Sequence, residues 1–162
     1  MEQLEAAIQL RESGKLEEAR SLLLELLDQQ PLNPSVWYQC AWIHDVLGLE
    51  SEAVPYYKKS LELGLKEEER QGALLGLGST YRTLGMYEEA KTIFETAMKE
   101  FPDRREYQVF YAMVLYNQQA FTEAMSILLK QLAETSNDEG IRSYKKAILF
   151  YADNLDQIWE AL

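Results

Sequence analysis

Residues 74–102 read LLGLGSTYRTLGMYEEAKTIFETAMKEFP, and their reading decides the fold. Leu74, Leu77 and Tyr81 recur at steps of three and four, the period of one helix face. Gly85 then interrupts the pattern, where a residue free to take positive φ can end a helix. Ala90, Phe94 and Ala97 resume the same step, and Pro102 closes it because it has no N–H to continue a helix. These residues describe two helices joined by a tight turn.

Working outward, the same punctuation returns. Gly14, Gly48, Gly85 and Gln119 hold one equivalent place, and Ala19, Ala53, Ala90 and Ala124 follow each by five residues. The alanine intervals are 34, 37 and 34 residues. A small side chain is needed where the two helices of a hairpin cross closely. The pattern Leu74-x2-Leu77-Gly78-x2-Tyr81, Gly85, Ala90-x3-Phe94, Ala97, Pro102 resembles the 34-residue unit of the tetratricopeptide repeat (TPR) family, with Leu74 where the family most often has Trp. The resemblance implies an all-α fold: a right-handed α-α solenoid of about four helical hairpins with a C-terminal capping helix, one TPR domain across residues 1–162. The repeats fall at approximately 1–33, 34–70, 71–104 and 105–137, with the cap at 138–162.

Each repeat has its own departures. In the first, Leu10, Leu16, Ala19, Leu23, Leu26 and Leu27 supply the apolar face, and Pro31 closes it. No capping residue precedes its first helix, the pattern expected if a longer chain continues upstream. In the second, Asn33 or Ser35 caps the first helix and Trp37 takes the family's tryptophan place, but Cys40, Ala41 and His44 replace its Leu, Gly and Tyr. The three extra residues fall in GLKEEERQG and predict an added turn at the start of the third repeat. The fourth has Gln119 for the turn glycine. In the tail, Ile141, Tyr144, Ile148, Tyr151, Leu155, Ile158 and Leu162 form one stripe at alternating steps of three and four. Such a helix would hide the open end of the last repeat. Asp153 and Asn154 are candidate breakers of it, and Leu149 and Phe150 lie off the stripe, where a second copy could bury them in a two-fold dimer.

Composition narrows the function. With 16 Lys and Arg against 27 Asp and Glu, the net charge is −11, which repels a nucleic-acid backbone. No run approaches the ~18 apolar residues that span a bilayer. The start MEQLEAAIQL lacks the plan of a signal peptide, and a single cysteine, Cys40, suits a reducing interior, so the expected location is cytoplasmic.

Catalytic constellations are missing from the sequence. The single histidine, His44, sits at a packing position, and Asp45 beside it falls on another helix face, so the pair is no oriented dyad. Nothing near Cys40 lowers a thiol pKa, and one His with one Cys cannot complete a zinc site. Gly76 and Gly78 follow no strand, which excludes a phosphate loop. The expectation is a non-enzymatic chain with no cofactor and no metal.

A groove remains. In TPR arrays the first helix of each hairpin lines a concave inner face that commonly holds a peptide or a partner helix. The residues of this chain expected there are Leu4, Ile8 and Arg11; Tyr38, Trp42 and Asp45; Leu75, Ser79 and Arg82; and Val109, Met113 and Tyr116. Most are large and apolar or aromatic, the residue types enriched at interfaces. Two readings stay open for Trp42 and Tyr116: packing on the next helix, or contact with a partner. Chaperone-tail binding through a two-carboxylate clamp is argued against, because Leu4, Ile8, Tyr38 and Trp42 stand where Lys and Asn would be needed. The function expected is a protein–protein interaction module with an apolar groove, possible as a homodimer. The alternative is a regulatory sensor of short signalling peptides.

Overall fold

The computed structural model describes residues 2–160. Among them ten helices follow one another in sequential hairpins, and no strand occurs. The first hairpin is α1 (Glu2–Glu12) and α2 (Leu16–Gln29); the second is α3 (Pro34–Val46) and α4 (Glu50–Leu63). Next come α5 (Glu67–Thr83), α6 (Tyr87–Glu100), α7 (Glu106–Asn117), α8 (Phe121–Thr135), α9 (Glu139–Ser143) and α10 (Lys145–Ala152). By packing the chain divides into two compact units, Met1–Ile93 and Phe94–Leu162, with the boundary inside α6.

The turn residues explain the hairpins. Gly14, Gly48 and Gly85 have φ of 80°, 73° and 75°, and Gln119 takes 65° in the same place. At each turn the same two bonds close the preceding helix. In the first, the Gly14 N–H donates to Arg11 O at 3.0 Å and the Lys15 N–H to Leu10 O at 2.9 Å. Equivalent pairs join Gly48 to Asp45 and Leu49 to His44, Gly85 to Arg82 and Met86 to Tyr81, Gln119 to Tyr116 and Ala120 to Leu115. These are the paired bonds of a Schellman stop, which satisfy carbonyls that the helix end leaves open. Ala19, Ala53, Ala90 and Ala124 are all buried, as expected of crossing-point residues.

In the first unit, Ala7, Ala19, Leu23, Leu26, Val36, Cys40 and Ile43 make one core, with Leu4, Leu10 and Tyr56 packed against it. Asn33 caps α3 by accepting the Ser35 N–H at 3.1 Å, with Pro34 at its first position. Trp37 packs on Tyr56 and donates from its indole Nε1 to Pro31 O at 2.9 Å. The extra residues lengthen α5 to 17 residues against 13 in α3.

In the second unit, Phe94 and Phe110 approach with ring centroids 6.1 Å apart, and Phe94, Tyr107, Val114 and Leu115 are buried. Tyr111 donates its hydroxyl to Glu95 Oε1 at 3.1 Å. Burial, and then that bond, push the Tyr111 phenol up to about 12.

The tail differs from its sequence expectation. The single helix read over 138–162 is two: Asp138 caps α9 by accepting the Ile141 N–H at 3.0 Å, Tyr144 separates the helices, and α10 stops at Ala152. The Asn154 side chain donates to Phe150 O at 2.7 Å and ends α10. Residues beyond it turn back to α8, where Lys130 meets Asp153 at 2.5 Å and Thr122 donates to Asp156 at 3.0 Å. The continuous apolar stripe is accordingly broken. α10 packs on α8, yet Tyr144, Tyr151, Leu155 and Ile158 are exposed. Leu162 lies outside the described residues.

Candidate functional site

In the first unit α1, α3 and α5 lie in sequence beside one another. Helical spacing brings Leu4, Ile8 and Arg11 of α1, Tyr38, Trp42 and Asp45 of α3, and Leu75, Ser79 and Arg82 of α5 onto the same side of their helices. Most are half-buried; Tyr38 is 7% exposed, and Trp42 is 39% exposed. Tyr38 therefore packs within the protein, while Trp42 stays part-exposed.

Arg11 ties the row together. Its guanidinium carbon stands 3.5 Å from the Trp42 ring centroid, and its Nη1 donates to Gln39 Oε1 at 2.6 Å. Burial draws the guanidinium below its ordinary pKa, opposed by Glu12 and by the phenols of Tyr38 and Tyr57. Tyr38 continues the aromatic run, with centroid separations of 5.8 Å to Trp42 and 6.3 Å to Tyr57.

Beneath this run lies a polar node. Tyr57, on α4, donates its hydroxyl to Asp45 Oδ2 at 2.7 Å, and Thr80, on α5, reaches both Asp45 oxygens at 2.9 Å. Burial raises the Asp45 carboxyl above its ordinary value, although both hydroxyls stabilise the carboxylate and lower it. The Tyr57 phenol moves far up, from burial first and then from the Asp45 charge. Two glycines let the tyrosines fit. A Cβ on Gly72 would stand 2.2 Å from Tyr38 Oη, and one on Gly76 would stand 2.3 Å from Tyr57 Oη. The sequence signalled Asp45 but not Tyr57, Gln39 or Thr80. The available clue was Gly72 and Gly76 four residues apart on one helix face.

His44 and Cys40 belong to packing. His44 is 1% exposed, stacks on Tyr56 at 4.7 Å, and donates from Nδ1 to Cys40 O at 2.6 Å. Its Nε2 lies 3.8 Å from Glu52. Burial pushes the Cys40 thiol up to about 12, the opposite of what a nucleophile needs. Among the described residues, no group of three or more His, Cys, Asp or Glu could hold a metal ion.

The second unit holds the remaining candidates. Val109 is half-buried on α7, Met113 is exposed, and Tyr116, at 63% exposure, meets Phe121 edge-on at 5.2 Å. Leu149 is half-buried; Phe150 is 55% exposed and groups with Tyr151 and Trp159 at 5.5 and 6.0 Å.

Comparison with known proteins bears on the family and the fold. The sequence profile described as Tetratrico peptide repeat matches residues 34–155. The chain belongs to the tetratricopeptide repeat family. No curated protein matches it in sequence. Solved TPR structures share the fold. YrrB, described as a TPR protein with an unusual peptide-binding site, is 19% identical over 96% of this chain and 77% of its own, with a TM-score of 0.72. The TPR-like repeats of a putative kinesin light chain from Podosopora anserina are 20% identical over 96% of this chain and 87% of theirs, at 0.69. A TPR protein from Parabacteroides merdae is 22% identical over 95% of this chain and 60% of its own, at 0.72. TPR proteins are generally protein- or peptide-binding modules and usually non-catalytic scaffolds. No described helix of this TPR chain is long and apolar enough to cross a membrane.

Proposed function

We propose that this TPR protein is a non-enzymatic interaction module whose first unit receives an extended or helical segment of a partner protein along α1, α3 and α5. The observation that carries the reading is Trp42. A tryptophan backed by Arg11 at 3.5 Å and by Tyr38, yet 39% exposed, is an aromatic anchor set in place before a ligand arrives. Leu4 and Ile8 extend the apolar surface along α1. The YrrB description, with its peptide-binding site on a shared fold, is in keeping with the proposal.

Anisotropy titration of the full chain against a labelled library of short amphipathic peptides tests it. The expected result is a saturable binder that weakens by roughly tenfold or more in Trp42→Ala, with the circular dichroism unchanged. No binder, or equal binding by the variant, overturns the proposal.

A second reading rests on Phe150, whose exposed ring groups with Tyr151 and Trp159. It supports burial of this cluster by a second copy, with two-fold symmetry. Sedimentation at micromolar concentration decides between a dimer that Phe150→Ser weakens and a strict monomer, which removes the reading.

A further inference from the structure

The groove along α1, α3 and α5 has an apolar floor and an acidic mouth. A cavity of about 670 Å³ opens where these three helices start. Half-buried Leu4 and Ile8 line it. Around them stand Glu2 and Glu5 of α1 and Glu68 and Glu69 of α5, against one ammonium, Lys66. Glu69 already accepts the Ser35 hydroxyl at 2.7 Å. Glu2, Glu5 and Glu68 are exposed, with their carboxylates in water at the rim.

Carboxylates in a first helical turn favour the helix end they occupy. That accounts for acid on α1 and α5 separately, but not for both sets lining one apolar cavity. Their field reaches the aromatic run: burial sets the Tyr38 phenol at about 12, Arg11 opposes the rise, and Glu69 and Glu68 add to it. With a net charge of −11, the rest of the chain reinforces this sign.

We infer that the partner segment is cationic and amphipathic, with Lys or Arg side chains at the acidic mouth and apolar side chains on Leu4, Ile8 and Trp42. The inference rests on the groove reading proposed above and specifies its ligand. Apolar contact holds the segment, while the rim carboxylates choose it over neutral or acidic competitors and speed its arrival. Long basic side chains suit such a rim because their stems lie along apolar surface while the heads stay in water.

Three peptides with one leucine spacing, flanked by Lys, Ser or Glu, provide the test when titrated against the full chain by anisotropy. The Lys-flanked probe is expected to bind about tenfold tighter than the Ser-flanked one, and the Glu-flanked probe weakest. Added salt narrows that gap. Reversing Glu5→Lys together with Glu68→Lys should erase the preference. The paired reversal Glu25→Lys and Asp28→Lys, at exposed positions of α2 that do not line the cavity, should leave it. Equal binding of all three probes overturns the charge inference and leaves the groove standing. Equal effects of the two paired reversals overturn it too, by showing attraction to bulk charge. Failure of every probe to bind overturns the groove and the inference with it.

Discussion

The guanidinium of Arg11 and the indole of Trp42 are stacked at 3.5 Å, joining α1 to α3. The guanidinium also donates to Gln39 Oε1 at 2.6 Å. A cation over an aromatic face contributes about 0.5–2 kcal/mol, more as it is desolvated. A double-mutant cycle of Arg11→Ala and Trp42→Ala, read by urea unfolding, should give a coupling in that range. Trp42→Ala alone should cost about 1–2 kcal/mol, because the ring is already part-exposed. A loss beyond about 3 kcal/mol would place Trp42 in the core and remove it from the binding surface.

Gln119 takes the left-handed conformation, φ 65°, that glycine takes at the three equivalent turns. An L side chain there is strained by about 1–2 kcal/mol, part of which is returned because glycine has more freedom to lose on folding. Gln119→Gly should raise stability by about 0.5–1 kcal/mol. The check is a higher urea midpoint with an unchanged slope. A lower midpoint would mean that the glutamine side chain contributes a contact that outweighs the backbone strain.

The contrast between these sites shows what the sequence could carry. The turn at Gln119 was legible without a glycine, because register with Gly14, Gly48 and Gly85 demanded a turn. The burial of Ala19, Ala53, Ala90 and Ala124 was legible for the same reason of spacing. Trp42 could be assigned to a helix face, but its contact with Arg11 needed the placement of two repeats. The burial of Tyr38 in the space left by Gly72 was not legible, because a missing Cβ on a neighbouring helix leaves no periodic signal at the tyrosine. The node of Tyr57, Asp45 and Thr80 joins three helices and is invisible to any single-helix pattern. In the tail, a three-and-four step predicts one continuous helix, whereas the chain forms α9 and α10. Asn154 ends α10 through its side chain, and Thr122 and Lys130 of α8 hold the returning segment.

Asp45 gives the fold a pH dependence of definite sign. Its folded pKa lies above the ordinary 3.8, with burial as the main cause. The folded state thus holds the proton longer than the unfolded chain does. The stabilisation linked to that proton is full below 3.8 and is lost as pH rises through the raised value. NMR titration of the carboxyl should show a midpoint above 3.8. Asp45→Asn should flatten this part of the stability profile, while its amide N–H₂ opposes one of the two hydroxyl donors. A midpoint at or below the ordinary value would show that the bonds from Tyr57 and Thr80 outweigh burial.

Gly72 and Gly76 separate two kinds of close approach. Alanine ordinarily favours a helix over glycine by about 1 kcal/mol, but here each added Cβ meets a buried tyrosine. At Gly72 the Cβ would lie 2.2 Å from Tyr38 Oη and 3.1 Å from Cζ; at Gly76, 2.3 Å from Tyr57 Oη and 2.5 Å from Cζ. Either alanine should therefore destabilise, by about 1–3 kcal/mol as overpacking does. The rescues should differ. Tyr38→Phe removes the nearest atom and leaves a ring carbon at 3.1 Å, so it should restore much of the stability lost in Gly72→Ala. Tyr57→Phe leaves a ring carbon at 2.5 Å and deprives Asp45 of its 2.7 Å donor, so it should not rescue Gly76→Ala. Urea unfolding of the two single and two paired variants measures this. Equal rescue at both sites would mean that α5 shifts away from the tyrosines as a unit, and that the hydroxyls do not fix its distance.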